Sequence, residues 1–383
     1  MYFEFSTANR ILFGPGTRSE IPTLASSMGR HIFLIHDSQK RCEELRERVL
    51  ACGLVVELLL VENEPNLSDI VMATRIAKES NCELVIGFGG GSVLDTGKAT
   101  AAFINNPGNP QDYLEVVGSG RKLENPSTPF IAIPTTAGTG SEVTRNAVIA
   151  VPERHLKASL RSSHLLPKIA IIDPELTYSL PPSITASTGM DALTQLIEPF
   201  VCNSPTPLTD TFCRDGIGRA AKSLRKAYEN MLDVNSRQDM ALASLFGGLA
   251  LANARLGAVH GMANPIGGMC HAPHGAVCAR LLSLVMETNL RALRQREPNS
   301  PAIVRYTEIA RLLTGDTSAG AEDGPNWVRD LCMAINIRPL AEYGLDPKDF
   351  PALVGQSQMS SSMKGNPIAL MDSELLAILA DAV

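Results

Sequence analysis

The first half of the chain alternates short apolar runs, rich in β-branched residues, with amphipathic segments. The apolar runs lie at residues 11–13, 32–36, 55–61, 84–88, 130–133 and 169–172, and amphipathic segments such as 41–50 and 67–78 separate them. Parallel strands need crossover connections, so this alternation is typical of a mostly parallel sheet with helices on both faces. Strands buried on both sides also read as near-continuous apolar runs, as Phe33-Leu34-Ile35 does.

The pattern changes near Pro181-Pro182, after which long helical stretches replace the β-rich runs. Helices are predicted over 191–201, 210–229 and 237–263, and the Gly- and Ser-rich segment 314–326 reads as a loop. A chain of 383 residues is too long for one compact core. We therefore predict an α/β domain over residues 1–181 and an all-helical domain over residues 182–383.

Charge and composition limit the kinds of partner and the cellular location that we expect for the chain. The net charge is −6 and the basic residues are scattered, so we expect no nucleic-acid partner. The N-terminus has neither the basic segment nor the long apolar segment of a signal peptide, so we expect no signal peptide. The apolar segment 241–251 has glycines and polar neighbours that favour a buried helix over a membrane span. The eight cysteines form no CxxC pair, which favours reduced thiols in the cytoplasm.

A glycine run follows the fourth predicted strand. Gly89-Gly90-Gly91-Ser92 leads into a helix predicted over 93–105, with Ser92 as its N-cap and Asp95 completing a pattern like a capping box. Glycines allow a close backbone approach, and the N–H groups at a helix start suit an anion such as pyrophosphate. An ordinary strand-to-helix turn explains the run equally well.

A second unusual loop, 134–142, follows the fifth predicted strand and carries the hydroxyls of Thr135, Thr136, Thr139 and Ser141. In parallel sheets, ligands bind outside the carboxyl ends of the strands, where the two loops would meet. A turn satisfied by its own side chains would explain the composition, but not why two such loops share one sheet edge.

Asp37 ends the second predicted strand. An acid at such a strand end binds ribose hydroxyls and repels a 2′-phosphate, which favours NAD over NADP. The alternative is that Asp37 caps the helix that follows.

The second half of the chain contains Asp, Gln and His residues at spacings that could bind a metal. Asp191 and Gln195 are four residues apart in a helical stretch, so both side chains leave one face. His260, His271 and His274 fall within fifteen residues of one another. Asp and His ligate first-row metals, and a catalytic metal keeps one position open for substrate. Chance clustering or core packing also accounts for this spacing.

Several motifs in order resemble the iron-containing (group III) alcohol dehydrogenases over almost the full length. They are Gly89-Gly90-Gly91-Ser92 with Asp95 and Lys98; Pro134 to Glu142; Lys157-Ala158-Ser159-Leu160-Arg161-Ser162; Asp173-Pro174-Glu175-Leu176-Thr177; Gly189-Met190-Asp191-Ala192-Leu193-Thr194; His260-Gly261-Met262-Ala263; and Pro273-His274-Gly275. The resemblance implies the fold shared with glycerol dehydrogenases and dehydroquinate synthases: a Rossmann-like NAD-binding domain, an all-helical metal- and substrate-binding domain, and a metal in the cleft between them. It also implies a homodimer.

The resemblance also implies roles for individual residues: the glycine run would hold the pyrophosphate, the three threonines would lie along the cofactor, and Lys157 would approach its ribose. The cofactor-binding residues that we predict are Asp37, Gly89, Gly90, Gly91, Ser92, Asp95, Thr135, Thr136, Thr139, Ser141 and Lys157. The metal-ligand positions are Asp191, His260 and His274, with Gln195 at the fourth.

Two positions depart from the family pattern. The family usually has His where this chain has Gln195, and often has a second His where this chain has Asn264. A neutral amide oxygen weakens binding of a metal that prefers nitrogen, so the change favours Zn²⁺ over Fe²⁺ or leaves three strong ligands, as in glycerol dehydrogenases. His271 is a weak substitute for the proton-relay group lost at Asn264, and an exposed loop histidine without a role explains it better.

The resemblance implies a metal-assisted, NAD-linked alcohol dehydrogenase that moves a hydride between nicotinamide and a small alcohol or aldehyde. Metal-free maleylacetate reductases and the zinc- and NAD-using dehydroquinate synthases are alternatives on the same fold. A non-catalytic descendant that binds NAD or a metabolite is the alternative from another class. The substrate itself is not specified by the sequence.

Overall fold

The computed structural model describes residues 2–154, 156–270 and 272–383. The chain forms two compact units. The α/β unit comprises Ser6–Thr136 and Gly140–Thr177, and the helical unit comprises the N-terminal residues up to Phe5, Ala137–Thr139 and Tyr178–Val383. The functional division at residues 181 and 182 stays a prediction.

The parallel sheet that the sequence predicts is confirmed. The strands of the described residues are β1 (Arg10–Phe13), β2 (His31–His36), β3 (Val55–Leu60), β4 (Leu84–Gly89), β5 (Phe130–Pro134), β6 (Asn146–Val151), β7 (Leu156–Arg161) and β8 (Ile169–Ile172). Six of these described strands form one sheet in the order β1-β8-β5-β4-β2-β3, and every pair in it is parallel.

Alternate residues of the central strands pack on opposite faces of this sheet. Leu34 and Ile86 belong to the core on one face, whereas Phe33 and Val85 belong to the core on the other. Helices cover both faces, which is why the strands read as continuous apolar runs. The helices of the α/β unit are α1 (Ile21–Ser26), α2 (Gln39–Ala51), α3 (Leu67–Glu79) and α4 (Gly91–Asn105).

β6 and β7 are not among the predicted strands, and they pair with each other antiparallel. Their alternate residues, among them Ile149 and Leu160, join Ala99 and Phe103 of α4 in one apolar cluster. This period-two alternation is the usual signature of a strand with one buried face. The pair therefore lies against α4.

The helical character of the second unit is also confirmed. Its helices are α5 (Pro182–Val201), α6 (Pro207–Glu229), α7 (Val234–Asn253), α8 (Ala258–Met269), α9 (His274–Arg296), α10 (Pro301–Thr314), α11 (Asp323–Ala334), α12 (Phe350–Met359) and α13 (Asp372–Ala382). α5 is buried along most of its length and packs against α6, α7 and α9. It is therefore the central helix of this unit.

The helix predicted over residues 237–263 is wrong at one point, because α7 ends at Asn253 and α8 begins at Ala258. The two helices are bent by 98° relative to each other. Glu198 and Asn366 accept hydrogen bonds from the first N–H groups of α8, which offsets the helical bonds lost at the break. No single helix of the described residues is long and apolar enough to cross a membrane, although α7 and α8 together meet that length and composition.

Candidate cofactor and metal sites

The glycine run lies at the carboxyl end of β4 and opens α4. The predicted cap is wrong: α4 begins at Gly91, its N-cap is Gly90, and no side chain caps it. Ser92 is therefore already inside the first turn. A side chain at residue 89 would lie 2.5 Å from Val93 Cγ2, so the tight turn requires glycine there. The first N–H groups of α4 have no partner within the helix, which suits an anion.

Asp37 follows β2 at the same edge of the sheet, since His36 pairs with Phe88 next to the glycine run. Its Oδ2 accepts a hydrogen bond from the Gly90 N–H at 2.9 Å, and its Oδ1 pairs with Arg41 at 2.9 Å. The N-cap of α2 is Ser38, so Asp37 does not occupy the capping position considered as the alternative. The carboxylate instead stands beside the glycine run.

The hydroxyl-rich loop meets the glycine run from the neighbouring strand. Gly89 pairs with Pro134, and the Thr135 N–H donates to the Gly89 carbonyl at 3.0 Å. Thr136 is the nearest side chain to the position that a Cβ on Gly90 would take, at 3.5 Å. Both loops therefore meet at one sheet edge within the α/β unit, as predicted. Thr139 is half-buried and belongs to the helical unit.

Asp95 has a different role from the predicted capping box. Its Oδ1 accepts from the Ser141 hydroxyl at 2.6 Å and lies 3.1 Å from Lys98 Nζ, and its Oδ2 accepts from the Val148 N–H at 2.9 Å. Asp95 thus ties α4 to the hydroxyl loop and to β6.

The fully buried Lys98 completes this connection. Its ammonium donates to the Ser141 carbonyl at 3.0 Å and to the Thr144 hydroxyl at 3.0 Å. Burial lowers the pKa of Lys98, against the opposing effects of Asp95 and Glu142. Burial raises the pKa of Glu142 to about 7, against the attraction of Lys98. Lys157 lies on β7, where its ammonium is 2.5 Å from the Glu64 carboxylate.

In the helical unit, side chains from α5, α8 and α9 converge. Asp191, His260, His274 and Cys278 each offer one ligand atom, and these atoms lie within 4.8 Å of one another. Asp191 Oδ1 is 3.5 Å from His260 Nε2 and 3.7 Å from His274 Nε2. Hydrogen bonds of this kind are shorter, at about 2.7–3.2 Å, whereas these separations suit ligand atoms around one cation.

Buried polar atoms without partners support a cation at this position. Among the described residues, the cluster atoms Asp191 Oδ1 and His260 Nε2 are buried and have no hydrogen-bond partner. Such atoms cost free energy unless something satisfies them. The donor set of a carboxylate and two imidazoles suits a first-row divalent metal. The residues present therefore fit a metal.

Glu198, which the sequence analysis missed, orients His260. Its Oε2 is 2.6 Å from His260 Nδ1, and its Oε1 accepts from the Val259 N–H at 2.7 Å. This contact holds the Nδ1 proton and leaves Nε2 for the cluster. Burial would lower the pKa of His260, but Glu198 and Asp191 outweigh it and raise that pKa to about 10. Burial would likewise raise the pKa of Asp191, but His274 and His260 hold it below its ordinary value.

Glycines allow the three helices to approach this closely. A Cβ on Gly275 would lie 2.2 Å from the Ser187 carbonyl oxygen of α5, and one on Gly257 would lie 2.9 Å from Glu198 Oε1. Without these glycines, the starts of α9 and α8 would have to move away from α5.

The remaining predicted residues are placed as follows. Gln195 is buried one turn after Asp191, and Asn264 is half-buried one turn after His260 on α8. His271 lies outside the described residues. Helical spacing would have found the two missed residues: Glu198 is seven residues after Asp191, and Cys278 is four after His274.

Sequence comparison assigns the chain to a family. Residues 8–174 match the iron-containing alcohol dehydrogenases, and residues 185–383 match the C-terminal part of the Fe-containing alcohol dehydrogenase family. The chain belongs to this family. It is an oxidoreductase of the class that acts on CH–OH groups.

Individual relatives agree with this assignment. Alcohol dehydrogenase 4 of Schizosaccharomyces pombe is 37% identical over 84% of this chain and 74% of its own. The crystal structure of a 1,3-propanediol oxidoreductase is 30% identical, covers 100% of both chains and has a TM-score of 0.92. Sulfoacetaldehyde reductase from Bifidobacterium kashiwanohense, solved in complex with NAD⁺, is 28% identical over 100% of this chain and 99% of its own, with a TM-score of 0.86.

Proposed function

We propose that this protein is a metal-dependent, NAD-linked alcohol dehydrogenase or aldehyde reductase, which moves a hydride between nicotinamide and a small alcohol or carbonyl compound. The observation that carries the proposal is the convergence of Asp191, His260 and His274, in which Asp191 Oδ1 and His260 Nε2 are buried without partners, in a member of this family. A metal-free reductase or a binding protein has no need of that arrangement.

The metal is proposed to be held by Asp191, His260 and His274, with Gln195 beside Asp191. A divalent metal supplies a Lewis acid that lowers the pKa of an alcohol hydroxyl or polarises a carbonyl. Glu198 keeps the Nδ1 proton on His260, so that Nε2 faces the cluster. The His274 side chain is 27% exposed, against 3% for Asp191, so the accessible side of the cluster is at His274.

The cofactor is proposed to be NAD, bound at the sheet edge of the α/β unit. The first turn of α4 and the glycine run would bind the pyrophosphate, with Thr135, Thr136, Thr139 and Ser141 along the cofactor and Lys157 near the ribose. Asp95 and Lys98 hold the hydroxyl loop in place. The contact of the Asp37 carboxylate with the Gly90 N–H supports a role in which Asp37 repels a 2′-phosphate and so favours NAD over NADP. We also propose a cytoplasmic homodimer.

The test is metal content by mass spectrometry on protein purified without chelator, beside reduction of NAD and NADP with a panel of alcohols. We expect about one metal ion per chain and NAD-linked turnover. Asp191→Ala and His260→Ala should lose both, whereas His164→Ala, in the α/β unit, should lose neither. Undiminished turnover in the first two variants, with the metal gone, would refute the proposed role of the metal.

The same assay separates the alternatives. Turnover without metal would indicate a reductase of the metal-free kind, and NAD binding without net NADH formation would indicate a transient cofactor or a binding protein.

A further inference from the structure

The side chain of Gln195, at the position where the family usually has a fourth imidazole, is already engaged. Burial raises the pKa of Asp191, and His274, His260 and, more weakly, a hydrogen bond donated by the Gln195 amide lower it. The Gln195 Oε1 lies towards α7, where a Cβ on Gly247 would be 3.5 Å away. Gln195 therefore acts as a donor to a ligand, and the cluster still needs a fourth ligand.

The thiol of Cys278 occupies that fourth corner. Cys278 lies one turn after His274 on α9, so both side chains leave the same face of the helix. Its Sγ is 3.6 Å from His274 Nε2 and within 4.8 Å of the ligand atoms of Asp191 and His260. Cys278 is fully buried, whereas the His274 side chain is 27% exposed.

These separations match a metal site that includes one sulfur. With bonds of about 2.0–2.1 Å to nitrogen and oxygen and about 2.3 Å to sulfur, neighbouring ligand atoms of a tetrahedron lie about 3.3–3.6 Å apart. Three contacts in the cluster measure 3.5, 3.6 and 3.7 Å, and all four ligand atoms lie within 4.8 Å of one another. Small side-chain movements would therefore close the cluster around an ion.

We propose that the Cys278 thiolate is the fourth protein ligand of this metal centre, and that it biases the site towards Zn²⁺ and away from Fe²⁺. The inference rests on the metal site of the proposed function. On binding, the S–H bond breaks, a metal–sulfur bond forms and the proton leaves to solvent, with no change of oxidation state.

Two physical reasons favour this assignment. A thiolate is a soft ligand, and mixed sulfur and nitrogen sites of tetrahedral geometry select zinc. The thiolate and Asp191 also place two negative charges against the two positive charges of the ion, which compensates a buried charge. An expanded coordination shell still leaves a position for substrate on the accessible side.

X-ray absorption at the zinc edge tests the inference on the full chain loaded with one Zn²⁺. We expect one sulfur at about 2.3 Å beside nitrogen and oxygen at about 2.0–2.1 Å. Cys278→Ser should lose the sulfur and bind Zn²⁺ at least about tenfold more weakly, since outer partners of metal ligands alone are worth 10- to 100-fold. Cys332→Ser, which changes a buried thiol on α11, should keep both.

Competition between Fe²⁺ and Zn²⁺ under anaerobic conditions adds a second measurement. The zinc-to-iron ratio should fall at least about tenfold in Cys278→Ser relative to the wild type and to Cys332→Ser. Most sites prefer Zn²⁺ to Fe²⁺, so a high zinc-to-iron ratio in the wild-type protein alone would not indicate a sulfur ligand. The change in this ratio between the variants is therefore the informative quantity.

The outcomes are distinguishable. Bound Zn²⁺ with only nitrogen and oxygen neighbours in the wild-type protein would overturn the role of Cys278 and leave the proposed function standing. Failure of the wild-type protein to bind any divalent metal would overturn both. The wild-type spectrum decides this even if Cys278→Ser does not fold.

Discussion

Replacing Glu198 by glutamine tests whether the carboxylate orients His260 for the metal. Glu198 bridges the Val259 N–H at 2.7 Å and His260 Nδ1 at 2.6 Å. The amide oxygen of glutamine can still accept from Val259, but its NH₂ group then faces the Nδ1 proton. Two donors oppose each other, so His260 must rotate or change tautomer, and Nε2 is no longer held towards Asp191.

The expected magnitude follows from these contacts. Loss of such a partner weakens metal binding by about 10- to 100-fold, which corresponds to about 1.4–2.8 kcal/mol. Without metal, one unsatisfied buried donor should lower the free energy of unfolding by about 1–3 kcal/mol.

The assay is a Zn²⁺ titration in competition with a chromophoric chelator, beside urea unfolding in EDTA. Glu374→Gln is the matched control, because Glu374 is also buried, pairs with Arg296 and accepts from the Met371 N–H. The control should lose stability and keep its affinity for Zn²⁺. A folded Glu198→Gln protein whose Zn²⁺ affinity equals that of the wild type would refute the orienting role.

Three further substitutions give expected results. Asp37→Ser should raise the ratio of kcat/KM for NADP to that for NAD by roughly 10- to 100-fold, because it removes a charge facing the 2′-phosphate; an unchanged ratio in steady-state kinetics would contradict this. Burial raises the pKa of Glu142 from 4.5 to about 7, so the folded state holds the Glu142 proton more tightly than the unfolded state does. The free energy of unfolding of the wild-type protein should therefore fall by about 3 kcal/mol as the pH rises from 4.5 to 7. Glu142→Gln should abolish this fall. Urea unfolding of both proteins across this range checks the sign, and equal pH profiles would count against it. Gly275→Ala should lower both Tm and Zn²⁺ affinity, because its Cβ would lie 2.2 Å from the Ser187 carbonyl, whereas Gly218→Ala in α6 has open space and should stabilise by about 0.5–1 kcal/mol; a Gly275→Ala protein with wild-type Tm and affinity would show that the close approach is unimportant.

The strands of the sheet could be predicted because their burial on both faces leaves a continuous apolar run in the sequence. Local sequence patterns did not predict helix boundaries that depend on contacts with distant residues or on a turn made by glycines. The break between α7 and α8 spans Ala254-Arg255-Leu256-Gly257, of which only Gly257 forms helices poorly, and hydrogen bonds from the first N–H groups of α8 to the distant Glu198 and Asn366 stabilise it. Ser92 is a residue type that often caps helices, yet α4 starts at Gly91, one residue before it. The glycine run makes the turn into the helix without a side-chain cap.

The sequence also predicted which residues come together in the helical unit, but not all of them. Asp191, His260 and His274 were selected by residue type and resemblance, and the structure brings them together. Their role as ligands stays a prediction. Glu198 and Cys278 were missed because each lies in an otherwise apolar helical stretch, where only its position relative to a ligand, two turns or one turn away, gives it meaning.

The most direct test of metal-dependent hydride transfer is the fate of deuterium from a primary alcohol labelled at its hydroxyl-bearing carbon. The alcohol is the best substrate from the panel, and mass spectrometry of the nicotinamide product measures the label. We expect deuterium on the nicotinamide ring with the Zn²⁺- or Fe²⁺-loaded protein, and none after chelation until metal is restored. Equal transfer by the metal-free protein, or no transfer by the metal-loaded protein to NAD or NADP, would contradict this expectation.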